Sequence, residues 1–303
     1  LWNCPLCNSG DFEWLFDIPD FAANPNRIFS VRKCRQCDLF SIFPRPQLHD
    51  MLAYYPEDYE PFQEPGNENW SAVKKRLRQR HYQLRCRQVY SAVGGEGRLL
   101  DIGCGTGEFL VALLKSRSWQ AVGIDINPYA VQTASRRGLD VRLGDLSDLG
   151  FPAKSFDAVT IWEVVEHLTN PRQTIEDIRR LLRPGGYLFL STPNGDSLQA
   201  RFWRKYWIGW DVPRHLQVFT RQVLCHLLEE NGFILKGKFA FPTERYYAVE
   251  SMRRWIRMNH QSPFAGLSSK IIPFLGVIAW PVFRLLDFTP MASSIALKFQ
   301  SGS

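Results

Sequence analysis

Hydrophobic and polar positions along the chain change rhythm near residue 96. From Arg98 onward, short apolar runs alternate with stretches whose apolar residues recur every three to four positions. "RLLDIG" precedes a helical pattern that starts at Gly107, "AVGIDI" precedes one from Pro128, and "FDAVTIW" precedes one from Pro171 to Leu182. "DVRLGD" and "GYLFLSTP" read as further strands. Such alternation predicts a parallel sheet with helices on both faces. "TRQVLCHLLEENGF" reads as a later helix, with Thr220 as N-cap and Gly232 as C′ residue, and "ILKGKFA" and "SSIALKFQ" read as two closing strands. No internal repeat is visible.

Ahead of this α/β region the pattern breaks. Residues 1–46 are turn-rich and cysteine-framed, too few for a large core, so a bound metal is the natural staple. Residues 47–95 hold a Pro- and Tyr-rich connector and the run "KKRLRQRHYQLRCR", with Val73, Leu77 and Leu84 at near-helical spacing. Residues 96–303 form the third unit, and between its sixth and seventh strands lies an insertion, 242–291, where a hairpin would suffice. Within the insertion, "ERYYAVESMRRWIRMNH" is basic and amphipathic. "IIPFLGVIAWPVF", Ile271 to Phe283, is uncharged but shorter than the roughly twenty residues that span a bilayer. Two readings of 263–288 stand: a lid or dimer contact packed on the domain, or a segment lying in a membrane interface.

With 303 residues and 45% hydrophobic content the chain can bury a full core, which excludes a disordered or fibrous protein. A net charge of +7 admits nucleic acid, an anionic membrane or an acidic substrate. The basic run reads as the solvated face of a connecting helix, and nucleic acid is not the favoured partner. Of seven cysteines, four stand as "CPLC" (Cys4, Cys7) and "CRQC" (Cys34, Cys37), a metal spacing that points to a reducing, cytoplasmic compartment. Contact with the inner face of the membrane would follow if 263–288 is interfacial. Cys86, Cys104 and Cys225 read as ordinary small positions. No signal-peptide pattern precedes Cys4, although the chain begins at Leu1 without a methionine. The oligomeric state is not legible.

"LLDIGCGTGEFL" places Asp101, Gly103, Cys104, Gly105 and Gly107 at a strand exit and helix start, where glycines admit a ligand to the backbone and the helix offers free N–H groups. A dinucleotide could bind such a turn, but the spacing is not G-x-G-x-x-G and the acidic residue comes before the glycines. Asp125 ends the next strand, where a carboxylate can bind both hydroxyls of an adenosine ribose. Asp145 and Leu146 follow the third strand and could flank an adenine ring.

Over Leu99 to Phe241, including "FDAVTIWEVVEHL" and "LLRPGGYLFLSTPN", the chain resembles the class I S-adenosylmethionine-dependent methyltransferases. The resemblance implies a Rossmann-like seven-stranded sheet. It also implies that Asp101 and residues 103–107 face the amino-acid part of the cofactor, that Asp125 with Ile126 faces the ribose, and that Trp162 joins the pocket. The front of the chain, "CPLC", "CRQCDLFSIFPRP" and "YYPEDY", is similar to the zinc-ribbon leader of bacterial methyltransferases acting on sugars and glycans. That likeness implies structural Zn2+ on the four cysteines and a sugar, glycan or lipid-linked saccharide hydroxyl as acceptor. An RNA-binding protein that uses the ribbon and basic helix, and a quinol or other small-molecule O-methyltransferase, are the alternatives.

"IWEVVEHLTNP" sets Glu163, Glu166 and His167 at i, i+3 and i+4, at the strand end where open parallel sheets bind ligands. His215, in "WDVPRHLQVFT", leaves the same rim. Three readings follow: His167 or His215 as general base, all four residues around a divalent cation, or glutamates that merely hold the histidine. The pattern is similar to the magnesium site of ubiquinone-pathway O-methyltransferases and of small-RNA 2′-hydroxyl methyltransferases, which implies Mg2+ or Mn2+ there.

Overall fold

The structure is a computed structural model and describes residues 2–21, 24–46, 51, 54, 72–115, 118–259, 276 and 279–302. Its main sheet has seven strands: β4 (Gly97–Ile102), β5 (Trp119–Asp125), β6 (Asp140–Leu143), β7 (Phe156–Trp162), β8 (Leu182–Pro193), β10 (Phe233–Lys238) and β11 (Ser294–Ser301). They lie in the order β10-β11-β8-β7-β4-β5-β6. The pairs among β8, β7, β4, β5 and β6 are parallel, while β11 runs antiparallel to both neighbours. This is the expected α/β class.

Adjacent strand residues serve opposite faces, as a period of two requires. Leu100, Val159 and Leu190 pack under helices α4 (Pro171–Leu181) and α6 (Arg221–Glu230) through Ile175, Ile178, Leu224 and Leu228. Leu99, Ala158 and Phe189 pack on the other side, against α1 (Ala72–Val93) and α2 (Glu108–Leu113) through Cys86, Val89, Phe109 and Leu110. Helix α3 (Pro128–Arg136) starts at an Asn127 cap that accepts from the Tyr129 and Ala130 N–H groups. Asn170 and Thr220 cap α4 and α6 in the same way.

The basic run is therefore more than a solvated connector. Arg78, His81, Tyr82 and Arg85 of α1 face a cavity at the strand ends, while Lys75, Arg76, Arg80 and Arg87 are exposed.

At the front, β1 (Phe12–Pro19), β2 (Ile28–Cys34) and β3 (Phe40–Phe43) form an antiparallel sheet that a strand of the main unit, β9 (Gln217–Val218), extends. Each CxxC pair is followed by a residue at positive φ, Asn8 and Asp38, whose N–H donates back to the carbonyl of the first cysteine. Asn and Asp tolerate that left-handed turn better than other side chains with a Cβ.

The 242–291 insertion contributes α7 (Glu244–Met258) and α8 (Trp280–Leu286). Helix α5 (Leu198–Trp203), beyond β8, packs on α7. Tyr247 of α7 is buried against Trp207, so this helix packs on the domain. The apolar run Ile271–Phe283 lies outside the described residues apart from Gly276 and 279–283. No described helix is long and apolar enough to cross a membrane.

Candidate functional site

A cavity of about 850 Å³ opens at the C-terminal ends of β4, β5 and β7, between α1 on one side and α7 on the other. Gly103 and Gly105 at its floor and Gly107 just behind them all take positive φ. A Cβ on Gly103 would stand 2.3 Å from Val164 and one on Gly107 2.2 Å from Leu139, so both positions are closed to larger residues. Gly105 instead faces open space, and a Cβ there would enter the cradle.

Asp125 ends β5 with one carboxylate oxygen accepting from the Gly105 N–H and the other from the Asn127 N–H, each at 2.8 Å. Those bonds hold the glycine loop and leave further lone pairs for a ligand. Asp101 is buried and accepts a 2.6 Å bond from the Thr160 hydroxyl. Burial pushes its pKa up to about 7, with the Thr160 bond and the Arg85 cation opposing. Burial likewise raises Asp125, against its backbone hydrogen bonds. Two carboxyls held upward at the end of a parallel sheet suit a ligand that brings its own donors and positive charge.

The rim above is not a regular helical turn. Glu163 takes φ +56°, a left-handed residue, and only Val165–His167 form a 3-10 turn, so the i, i+3, i+4 helix face does not exist. Tertiary structure nevertheless brings three of the four residues together. Donor atoms of Glu166, His167 and His215 lie within 4.8 Å of one another, and the two imidazoles meet edge-on at 4.7 Å. Glu163 stands outside that group but lines the same cavity.

His167 Nδ1 is 2.9 Å from the Arg214 carbonyl and His215 Nδ1 is 2.8 Å from the Gly209 carbonyl. A carbonyl only accepts, so Nδ1 carries the proton in both rings and Nε2 carries the lone pair. Burial holds both rings neutral, driving His167 down to about 3 and lowering His215. Glu166 accepts from the Thr192 hydroxyl through Oε2 at 2.9 Å, while its buried Oε1 has no hydrogen-bond partner among the described residues and lies 4.0 Å from His215 Nε2. Burial and the neighbouring Glu163 charge push its pKa well up. An unpaired buried carboxylate oxygen beside two imidazole lone pairs is a donor set that fits a cation.

The fold has known company. A solved structure of the cyclase SpnF superposes with a TM-score of 0.52 at 20% identity, covering 78% of this chain and 85% of that one, a likeness that speaks for the fold alone. A ubiquinone biosynthesis O-methyltransferase of Xanthomonas oryzae pv. oryzae is 40% identical over 104 residues, 32% of this chain and 43% of the relative. A probable S-adenosylmethionine-dependent methyltransferase of Mycolicibacterium smegmatis is 31% identical over 140 residues, 45% of this chain and 51% of the relative. The chain thus spans about half, or less, of the length of these curated relatives. The model of the methyltransferase domain family matches residues 76–235, more than half of the chain. The chain belongs to that methyltransferase family.

Within this methyltransferase, Asp101, Gly103, Cys104, Gly105, Asp125, Ile126, Asp145 and Trp162 all line the cavity. Gly107 sits just behind as the cap of α2, and Leu146 is buried in the core. Asp145 turns its carboxylate back on the Leu146 N–H at 2.6 Å. Residues that the sequence did not single out join them. Arg85 is half-buried, with its guanidinium 4.9 Å from the Trp162 ring and 5.6 Å from that of Phe241. Its Nε has no hydrogen-bond partner among the described residues. Arg78 pairs with the buried Glu108 at 2.8 Å. From α7 and the residue before it come Thr243, Tyr246, Tyr247, Glu250 and Arg254, at spacings of three and four that form one helix stripe. Three arginines in sequences of high charge carry no pattern that marks them as inward-facing.

The four thiols Cys4, Cys7, Cys34 and Cys37 also converge, with Sγ atoms of Cys4 and Cys37 3.4 Å apart and those of Cys7 and Cys34 3.5 Å apart. A tetrahedral ion with bonds of about 2.3 Å sets thiolates about 3.8 Å apart, so the four residues could hold zinc.

Proposed function

We propose that this methyltransferase moves a methyl group from S-adenosylmethionine to a hydroxyl of a small polyhydroxylated acceptor, a sugar or glycan, at the rim formed by Glu166, His167 and His215. The observation that carries the reading is that ligand atoms of Glu166, His167 and His215 lie within 4.8 Å of one another at the cavity. Asp125 would bind the ribose hydroxyls, and Arg85, with its unpaired Nε, the cofactor's carboxylate. S-adenosylmethionine supplies an electrophilic methyl on a sulfonium. The acceptor oxygen bonds the methyl carbon as the carbon–sulfur bond breaks, and its proton leaves to solvent where a cation occupies the histidines, or to a histidine Nε2 where none does.

Glu166, His167 and His215 would hold a divalent cation, which supplies Lewis acidity that lowers the pKa of the acceptor hydroxyl. Two imidazoles and one carboxylate make a softer set than magnesium prefers, so manganese should serve better. The four cysteines would hold structural zinc. The α7 stripe supports the acceptor class, because tyrosine faces beside a glutamate and an arginine suit a ring with several hydroxyls. A second reading, an aromatic vicinal diol, draws on the name of the Xanthomonas relative.

The test is a methyl-transfer screen with labelled cofactor against nucleotide sugars, polyprenyl-linked saccharides and catechol-like quinol precursors. It is run after mild EDTA treatment and again after Mn2+ or Mg2+ is restored. Label in the saccharides that returns with Mn2+ supports the proposal, and label in catechols alone favours the second reading. Metal-independent turnover lost in His167→Ala or His215→Ala would replace the cation by a plain general base. A protein that binds S-adenosylmethionine and methylates nothing in the panel overturns the acceptor classes.

A further inference from the structure

The loop with Glu166 and His167 and the segment with His215 have little regular structure of their own, short 3-10 turns and the two-residue strand β9. Their spacing must come from bonds between them and from whatever grips both. Leu216 N–H donates to the Glu166 carbonyl at 2.9 Å, and the buried Gln217 amide donates to the carbonyls of Val165 at 3.0 Å and Leu168 at 2.7 Å.

The cysteine module supplies the remaining grip. Strand β3 pairs with β9, Ile42 N–H donates to the Leu216 carbonyl at 3.2 Å, and Arg45 reaches across from just beyond β3. Its Nη1 donates to Gln217 Oε1 at 3.0 Å, and its Nη2 donates to the carbonyls of Leu168 at 3.1 Å and Thr169 at 2.9 Å. The Trp2 ring lies 4.6 Å from the same guanidinium. One planar cation therefore ties both rim segments at once.

A guanidinium can only donate and a carbonyl can only accept, so Arg45 on one side and the Val165 and Leu168 carbonyls on the other fix the same end of the Gln217 amide as oxygen. Without Arg45 the oxygen of the buried Gln217 amide loses that donor, and the Leu168 and Thr169 carbonyls each lose one, so the tie between the two segments is cut. Lysine keeps the charge but has no planar fork for three acceptors.

We infer that Arg45 is a positioning residue for the methyl-transfer rim, setting the separation of Glu166 and His167 from His215 through the Gln217 amide and the Leu168 and Thr169 carbonyls. The cysteine module then belongs to the working site. This inference rests on the reading of that rim as the place of methyl transfer.

The experiment uses the full chain supplied with Zn2+ and reads the imidazole nitrogen–proton NMR correlations, with His167 and His215 assigned from their alanine variants. Arg45→Ala should shift the signals of both rings and leave His226, on α6, in place. S-adenosylhomocysteine affinity should stay within about twofold. Arg45→Lys should bring the signals part of the way back. Arg172→Ala cuts a different tie to the module, the bond from Arg172 to the Leu6 carbonyl, and should leave both rim signals unmoved. If Arg45→Ala does not fold, Gln217→Asn must show the same shifts. Rim signals that coincide with wild type in the folded variants, or that move as far in Arg172→Ala, overturn the inference. The spectra need no acceptor, so a failed methyl-transfer screen would sink the O-methyltransferase reading and leave this one to be decided independently.

Discussion

Replacing Asp125 with alanine probes the cofactor end of the cavity most directly. Its carboxylate is anchored by the N–H groups of Gly105 and Asn127, which aim the remaining lone pairs at the space above the glycine loop. Two ribose hydroxyls donating there would make charge-assisted hydrogen bonds of about 1.5–3 kcal/mol each. Burial already disfavours this carboxylate, as its raised pKa shows, and removing it relieves that cost. The expected net loss is about 2–3 kcal/mol, a Kd for S-adenosylmethionine weaker by roughly 30- to 150-fold. Asp125→Asn keeps one acceptor oxygen and should lose about tenfold. Isothermal calorimetry with S-adenosylmethionine and S-adenosylhomocysteine measures both, with thermal unfolding as the check that the glycine loop survives. An alanine variant that stays folded and binds within about threefold of wild type would show that the ribose lies elsewhere.

Three further outcomes follow from the same geometry. Asp101 keeps its proton up to about pH 7 in the fold but releases it near 3.8 when unfolded, so the native state holds the extra proton between those values. Ligand-free stability should therefore fall as pH rises through that window, and Asp101→Asn should flatten the slope in denaturant titrations; an unchanged slope refutes the assignment. Cys34→Ser should drop zinc content below one per chain and lower the melting temperature, since a structural ion adds folding energy on the order of several kcal/mol; unchanged zinc by elemental analysis argues against the thiolate site. Leu285 of α8 and Phe288 just beyond it are 73% and 70% exposed beside Arg284, a surface suited to an anionic membrane interface. Leu285→Glu with Phe288→Glu should abolish flotation with anionic liposomes, whereas a wild-type protein that ignores such liposomes removes the membrane reading.

The parallel sheet and its two helical layers were legible because their signals are local. Leu99 and Leu100 serve opposite faces by strand alternation, and Asn127, Asn170 and Thr220 announce helix starts by their own side chains. The glycine loop and Asp125 were legible for a related reason, since they cluster at consecutive strand ends that a parallel topology must bring to one edge. The rim was only half legible. Residue spacing suggested a helical face for Glu163, Glu166 and His167, but the left-handed backbone at Glu163 breaks it. His215 meets Glu166 because β9 joins the cysteine module and Leu216 bonds the Glu166 carbonyl. No periodicity in the sequence encodes such a contact between residues about fifty positions apart. The same holds for Arg45, Arg85 and Arg254. An arginine at the surface and one buried against carbonyls or rings look identical in a basic sequence, and only the packing of α1, α7 and the cysteine module onto the sheet decides which is which.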